Sequence, residues 1–215
     1  FKGWGHFIDQ NNIQITCPRT GININNVKAE KILISVGGKP KRLDIPGSEL
    51  LWTSNDVFEL NRFPNSVLIV GGGYIACEFA FIFKNLGIDV TQVVRSNNLL
   101  NGFDNDLSST LNETIISSEI DLLLNEELAS VEKGRNCLEI NFKSGLKRQF
   151  ENVLVATGRI PNLVNLKLDS IGLEMNGPYL KVNKYNQTNK KNIFAIGDII
   201  DKPNLLSKLM SSIKL

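Results

Sequence analysis

Histidine is almost missing from this sequence: His6 is the only one in 215 residues. That leaves a His-based catalytic triad or a zinc centre with almost nothing to build on. Cysteine is scarce as well. Cys17, Cys77 and Cys137 are odd in number and widely spaced, which fits neither a disulfide framework nor a metal knuckle and points to a reducing compartment. No catalytic residue and no metal ligand is therefore assigned. An excess of one charge is lacking too, with 24 Lys and Arg against 22 Asp and Glu and a net charge of +2. Such a balance gives no argument for nucleic acid or an anionic membrane surface as a partner. No apolar run approaches membrane-spanning length, no charged-then-apolar signal opens the given residues, and no solenoid period repeats.

What remains is an ordinary globular composition, 42% hydrophobic and 21% charged. Its length suits one large domain, or one domain with pieces of another. The first residue is Phe1 rather than methionine, and Leu215 follows no obvious tail, so a piece of a longer protein is expected. "GHFIDQNNIQITC" reads as a hairpin turning at Asp9–Asn12, and "KILISVGGKP" as a buried strand entering a glycine turn. "SNDVFEL" carries a helix-cap signal at Ser54 to Asp56. Pro64-Asn65 breaks the chain before a strand at Ser66–Val70. A helix from Tyr74 to Leu86, a strand at Asp89–Val94 and a helix over Asp104–Ser118 follow. The period then changes to two in "LASVEK", "CLEINF" and "KRQF", an antiparallel meander, before the apolar strands "NVLVATGR" and "NIFAIGD". Strand, helix, strand, meander and strand predict an α/β fold: a Rossmann-like dinucleotide-binding domain with a β-meander insertion.

The stretch "VLIVGGGYIACEFA" carries Gly71, Gly73 and Ala76 in a G-x-G-x-x-A pattern. The first glycine permits a tight turn, the second lets the backbone approach a pyrophosphate, and the small third residue packs helix on strand. A glycine turn without a ligand is the plain alternative. At the end of the next strand, where an acidic residue would bond a free ribose 2′-hydroxyl, stands Arg95. Arginine there suits a 2′-phosphate and hence NADP(H), against the alternative of a solvated surface side chain.

With both halves of that fingerprint present, the chain resembles the flavoprotein disulfide reductases. The segments that carry the likeness are "ILISVGGKP", "IPGSELLWTSNDVFEL", "VLIVGGGYIACEFAFIFKNLG", "VVRSNNLLNGFD", "VLVATGRIPN" and "NIFAIGD". Within the family the pattern leans to the glutathione reductase type, because "GFD" follows an arginine where dihydrolipoamide dehydrogenases usually carry a glutamate. The resemblance implies that residues 61–190 form the NADPH-binding domain and that 1–60 and 191–215 belong to a split FAD-binding domain. It further implies that Gly72 and Ile75 lie along the nicotinamide cofactor, that the Tyr74 ring lies over the flavin, and that Glu78 reaches the nicotinamide–flavin region. Gly158 would sit under the nicotinamide. Asp198 would bond the ribityl chain of FAD, with Val36, Gly37 and Gly5 at other backbone positions of the FAD site. The implied parent is a cytoplasmic homodimer, joined through a further C-terminal domain, that passes hydride from NADPH to FAD and electrons on to a redox disulfide and glutathione disulfide. Another flavin disulfide reductase, or a non-catalytic NADP(H)-binding remnant, is the alternative.

Several departures qualify the resemblance. A second arginine is usual six residues after the first, and Asn101 stands there. A charge-assisted hydrogen bond contributes about 1.5–3 kcal/mol, so the NADPH preference should be weaker by about one to two orders of magnitude. Val36 replaces a usual threonine. These residues hold no first glycine fingerprint for FAD and no C-x-x-x-x-C pair, so the chain by itself is not expected to reduce a disulfide. The ending "LSKLMSSIKL" replaces a usual "TPVA" continuation, which raises the expectation of a truncated or frame-shifted reading.

Overall fold

The computed structural model describes residues 1–201; the "LSKLMSSIKL" ending lies outside them. Strands β1 (Trp4–Phe7), β2 (Asn12–Thr16), β3 (Asn23–Lys28), β4 (Ile32–Ile34) and β5 (Gly38–Pro40) come first. They are followed by β6 (Trp52–Thr53), the short helix α1 (Ser54–Val57), β7 (Ser66–Val70), α2 (Tyr74–Asn85), β8 (Asp89–Val94), α3 (Asn105–Ser117) and β9 (Asp121–Leu124). The rest is β10 (Leu128–Lys133), β11 (Leu138–Phe142), β12 (Lys147–Phe150), β13 (Asn152–Val155), β14 (Arg159–Pro161), β15 (Met175–Asn176), β16 (Tyr179–Leu180) and β17 (Ile193–Ala195). Two compact units result. One is residues 40–159; the other is residues 1–39 with the described residues from 160 on.

The unit of residues 40–159 is built on a parallel sheet in the order β6-β13-β7-β8-β9. Its strands are aliphatic because both faces are covered, as parallel sheets require. Val67, Ile69, Val90, Val94 and Leu154 face α2 and α3, while Leu68, Val70, Val93, Val153 and Val155 face the other way. That alternation is the period of two along each strand. Helix α2 buries Ala76, Cys77, Ala80 and Phe83, one stripe at helical spacing. Helix α3 starts where Asp104 caps it by accepting a bond from the Asp106 amide at 2.9 Å. The antiparallel meander β10-β11-β12 covers the second face with Leu128, Val131, Leu138, Ile140, Phe142 and Phe150. The expected α/β fold with a meander inserted before the last core strand is what the structure shows.

The other unit holds the antiparallel sheet β1-β2-β3, the parallel pair β4–β17 and the small hairpin β15–β16. Its core is Phe7, Ile34, Leu168, Ile171, Leu180, Ile193, Ala195 and Ile199. His6 is buried here and bonds the Gln14 side chain through Nε2 at 2.6 Å, a structural use of the lone histidine.

The compact units divide between residues 39 and 40 and between residues 159 and 160. Leu43, Ile45, Leu50 and Leu51 pack against the meander side of the sheet, and Trp52–Thr53 adds an edge strand to it, so residues 40–60 join the dinucleotide-type unit. Leu163, Leu166, Leu168, Ile171, Leu173 and Leu180 pack around Ile193 in the other core, so residues 160–190 join that one. Pro64-Asn65 lies between α1 and β7. Among the described residues no helix is long and apolar enough to cross a membrane.

The position of α2 depends on Phe83, which is fully buried and stacks on Phe79 with ring centroids 5.9 Å apart. Phe83→Ala is expected to lower the unfolding free energy by about 3–5 kcal/mol, measured by urea denaturation followed by circular dichroism. A loss under about 1 kcal/mol would show that α2 is held elsewhere.

Candidate functional site

In the parallel sheet β7 has β8 on one side and β13 on the other, so the strand order reverses at β7. Ligands of open α/β sheets bind in the crevice at the carboxyl ends of the strands at such a point. The glycine loop stands there. The Ala156 amide donates to the Val70 carbonyl at 2.8 Å, which brings the two strand ends together. A Cβ on Gly71 would lie 2.4 Å from the Ala156 carbonyl oxygen, and Gly71 has φ 139°, a conformation open to glycine and costly for L residues. A Cβ on Gly72 would lie 2.6 Å from Val94 Cγ1, whereas one on Gly73 would meet nothing within 4 Å. The loop is thus closed on its inner side and open on its outer side.

Gly73 is the N-cap of α2 and offers no side-chain cap. The first amides of a helix have no intrahelical partner, so here they face the open side, where the peptide dipoles favour an anion. The loop carbonyls, in contrast, are taken. Gly71 O accepts from Gln92 Nε2 at 2.9 Å and Gly72 O from the Leu100 amide at 2.7 Å. These donors and the space beside Gly73 fit a pyrophosphate.

Around this loop the structure gathers most of the sequence-derived candidates. Tyr74 and Glu78 are exposed and lie one turn apart on the same face of α2, with Ile75 half-buried beside them. Arg95 is exposed directly after β8, a strand whose last carbonyl, Val94, accepts from the Glu126 amide just beyond β9 at 3.2 Å. Asn101 is exposed in the loop that follows. Gly158 is exposed beyond β13, and its carbonyl accepts from the Lys41 amide at 3.0 Å. Cys77 is buried under the loop, and burial pushes its thiol above the ordinary range, so it acts as a small core residue.

The remaining candidates belong to the other unit. Val36 and Gly37 follow β4, and Asp198 follows β17, its parallel neighbour, so all three stand at the same end of that strand pair. A Cβ on Gly38 would lie 3.0 Å from Asp198 Oδ2, so glycine there lets the carboxylate come against the backbone. Gly5 is on β1 in the separate antiparallel sheet, opposite Ile15. Gln92 was missed by the sequence reading. Its strand carries a second buried polar residue, Thr91, so the glutamine of "VTQVV" does not stand out as part of a site.

A family model described as pyridine nucleotide-disulphide oxidoreductase matches residues 1–212. The chain belongs to the pyridine nucleotide-disulphide oxidoreductase family. It is 38% identical over 207 residues to a glutathione reductase of Burkholderia cepacia, covering 95% of this chain and 44% of that protein. It is 34% identical over 211 residues to a soluble pyridine nucleotide transhydrogenase of Photorhabdus laumondii, covering 96% and 45%. Among solved structures it resembles the HOCl-induced flavoprotein disulfide reductase RclA of Escherichia coli, with a TM-score of 0.86, 25% identity, and 97% of this chain and 47% of that one covered. The chain therefore spans less than half the length of the relatives it matches. No group of three or more His, Cys, Asp or Glu able to hold a metal occurs among the described residues.

The two ends of the glycine loop should respond differently to one methyl group. Gly71→Ala is expected to cost about 2 kcal/mol or more of unfolding free energy, from the clash with Ala156 and the strained φ. Gly73→Ala should cost no more than about 1 kcal/mol, an N-cap effect. Urea titrations of both variants check this; equal losses would refute the one-sided closure of the loop.

Proposed function

We propose that this chain is the NADPH-binding central part of a flavin-dependent disulfide reductase, and that its parent enzyme reduces glutathione disulfide in the cytoplasm. The observation that carries this is the glycine loop at the reversal point of the sheet, with its amides open to an anion and an arginine at the end of the adjacent strand. Gly71, Gly72, Gly73 and the first turn of α2 hold the pyrophosphate. Arg95 pairs with the 2′-phosphate, which a free ribose hydroxyl would not need. Ile75 and Gly158 border the rest of the dinucleotide, and Tyr74 and Glu78 present one polar-edged face towards its nicotinamide end. In the other unit Asp198, Val36, Gly37 and Gly5 are the positions for FAD. When bound, the nicotinamide supplies hydride and the flavin relays the electrons; the residues of this chain bind and orient.

The glutathione reductase assignment is supported by the relative that is 38% identical, and by Arg95. The transhydrogenase relative, at 34% identity, favours a second reading, in which the acceptor is another pyridine nucleotide rather than a disulfide. Both readings require the loop, and both place NADPH on it.

Arg95→Glu is the test. NADPH should bind roughly 10- to 100-fold more weakly, the equivalent of one lost charge-assisted contact plus the repulsion introduced, while NADH binds as before or more tightly. Titration of the nicotinamide fluorescence reads both. Unchanged NADPH affinity would show that Arg95 does not meet the 2′-phosphate.

A further inference from the structure

Gln92 is fully buried in β8. It stands on the row with Val90 and Val94 that faces the helical layer. Its Nε2 donates to the Gly71 carbonyl at 2.9 Å and lies 3.7 Å from Cys77 Sγ. Its Oε1 has no partner, the one such buried side-chain atom among the described residues. A buried amide with an unbonded oxygen is a net burden on folding. A methionine or leucine would fill the same space without it, so packing gives no reason for glutamine at this position.

The reason lies in the carbonyl that Gln92 holds. The Gly71 amide is taken by the Val93 carbonyl at 3.0 Å, and the Ala156 amide, which could have come from the other side, is already spent on Val70. The Gly71 carbonyl stands at the end of the strand ladder, and the Gln92 carboxamide is what it bonds. In a trans peptide the carbonyl of one residue and the amide of the next point in opposite directions. Fixing Gly71 O inward turns the Gly72 amide outward. The Leu100 amide does the same for the next peptide, through Gly72 O. Of these two locks, the first is made by a side chain and can be removed by substitution.

We infer that Gln92 is a positioning residue for the dinucleotide, aiming the Gly72 amide at the pyrophosphate by holding the Gly71 carbonyl. This rests on the proposed NADP(H) reading of the loop. The pyrophosphate is common to NADPH and NADH, so Gln92 governs affinity for both and leaves the choice between them to Arg95. It touches neither cofactor and acts through the peptide it holds.

The test uses the 215-residue chain with Gln92→Met, close in shape but without the donor, and Gln92→Leu. NADPH, NADH and adenosine 2′-monophosphate, which has no pyrophosphate, are titrated against each, and thermal unfolding is measured. Both dinucleotides should weaken roughly ten-fold, the scale of one hydrogen bond to a charged group, with their ratio preserved. Adenosine 2′-monophosphate should bind as before, and the melting temperature should change little, because losing the unbonded oxygen is offset by leaving the Gly71 carbonyl without its donor. NADPH affinity unchanged in both variants would overturn the inference while leaving the loop assignment standing. A parallel loss of all three ligands with a lowered melting temperature would also overturn it, marking Gln92 as structural only. A parent chain that binds neither dinucleotide would sink the loop assignment itself, and the inference with it.

Discussion

Two parallel strands, β7 and β13, close on each other at their carboxyl ends, and nothing larger than hydrogen fits between them. A Cβ at residue 71 would stand 2.4 Å from the Ala156 carbonyl oxygen. The chain must therefore pass this point as glycine, and it does so at φ 139°, turning at once into α2. The same turn leaves the first amides of the helix without a side-chain cap and facing open space beside Gly73. Strand closure and an opening at the uncapped start of α2 are thus two consequences of one steric fact. The loop is open outward because it is shut inward.

Packing explains why that loop stays in place. The N-terminal end of α2 is exposed at Gly73 and Tyr74, and it is fixed by what lies behind it: Ala76, Cys77, Ala80 and Phe83 in the helix-side core. Burying a large apolar side chain contributes about 1.5–3 kcal/mol, several times the spread of helix propensity among ordinary residues. The helix is positioned by its buried stripe, and its exposed face is free for binding. The meander does the equivalent work on the other face of the sheet, shielding Leu68, Val70, Val93, Val153 and Val155. A second helical layer would serve as well; here β10, β11 and β12 fill the role.

Elements whose apolar pattern is read locally were legible in the sequence. The strand at Ser66–Val70, the helix from Tyr74, the strand at Asp89–Val94 and the Asp104-capped helix stand where periodicity and capping put them. The third strand of the first sheet, Asn23–Lys28, gave no such signal, since it is polar and exposed along almost its whole length and forms through pairing with β2. The division into compact units rests on a related property. Leu43 to Leu51 and Leu163 to Leu180 choose their cores by long-range packing, which Pro64 and other turn residues cannot report. The tight turn at the exit of β7 was legible in the spacing of its glycines. Gln92 was not legible in this way, since its role depends on a bond to a backbone carbonyl 21 residues away.

In the proposed site, affinity and selectivity are carried by different parts of the molecule. The loop amides meet the pyrophosphate that NADPH and NADH share, and they belong to the rigid backbone between β7 and α2. The discriminating group is one exposed side chain, Arg95, with Asn101 exposed where a second cation would add to it. Solvent and salt screen an exposed charge pair, which lowers its contribution towards 1 kcal/mol or less where the geometry is loose, and raises it only where two oxygens are gripped at once. A single arginine at the rim therefore gives a preference that falls as ionic strength rises, while loop-borne affinity is less sensitive to salt because the amides are fixed dipoles at contact distance. The chain can lose or regain selectivity by exchange at residues 95 and 101 without disturbing Gly71 or its neighbours. A change at Gly71 cannot be separated in this way from the closure of the sheet.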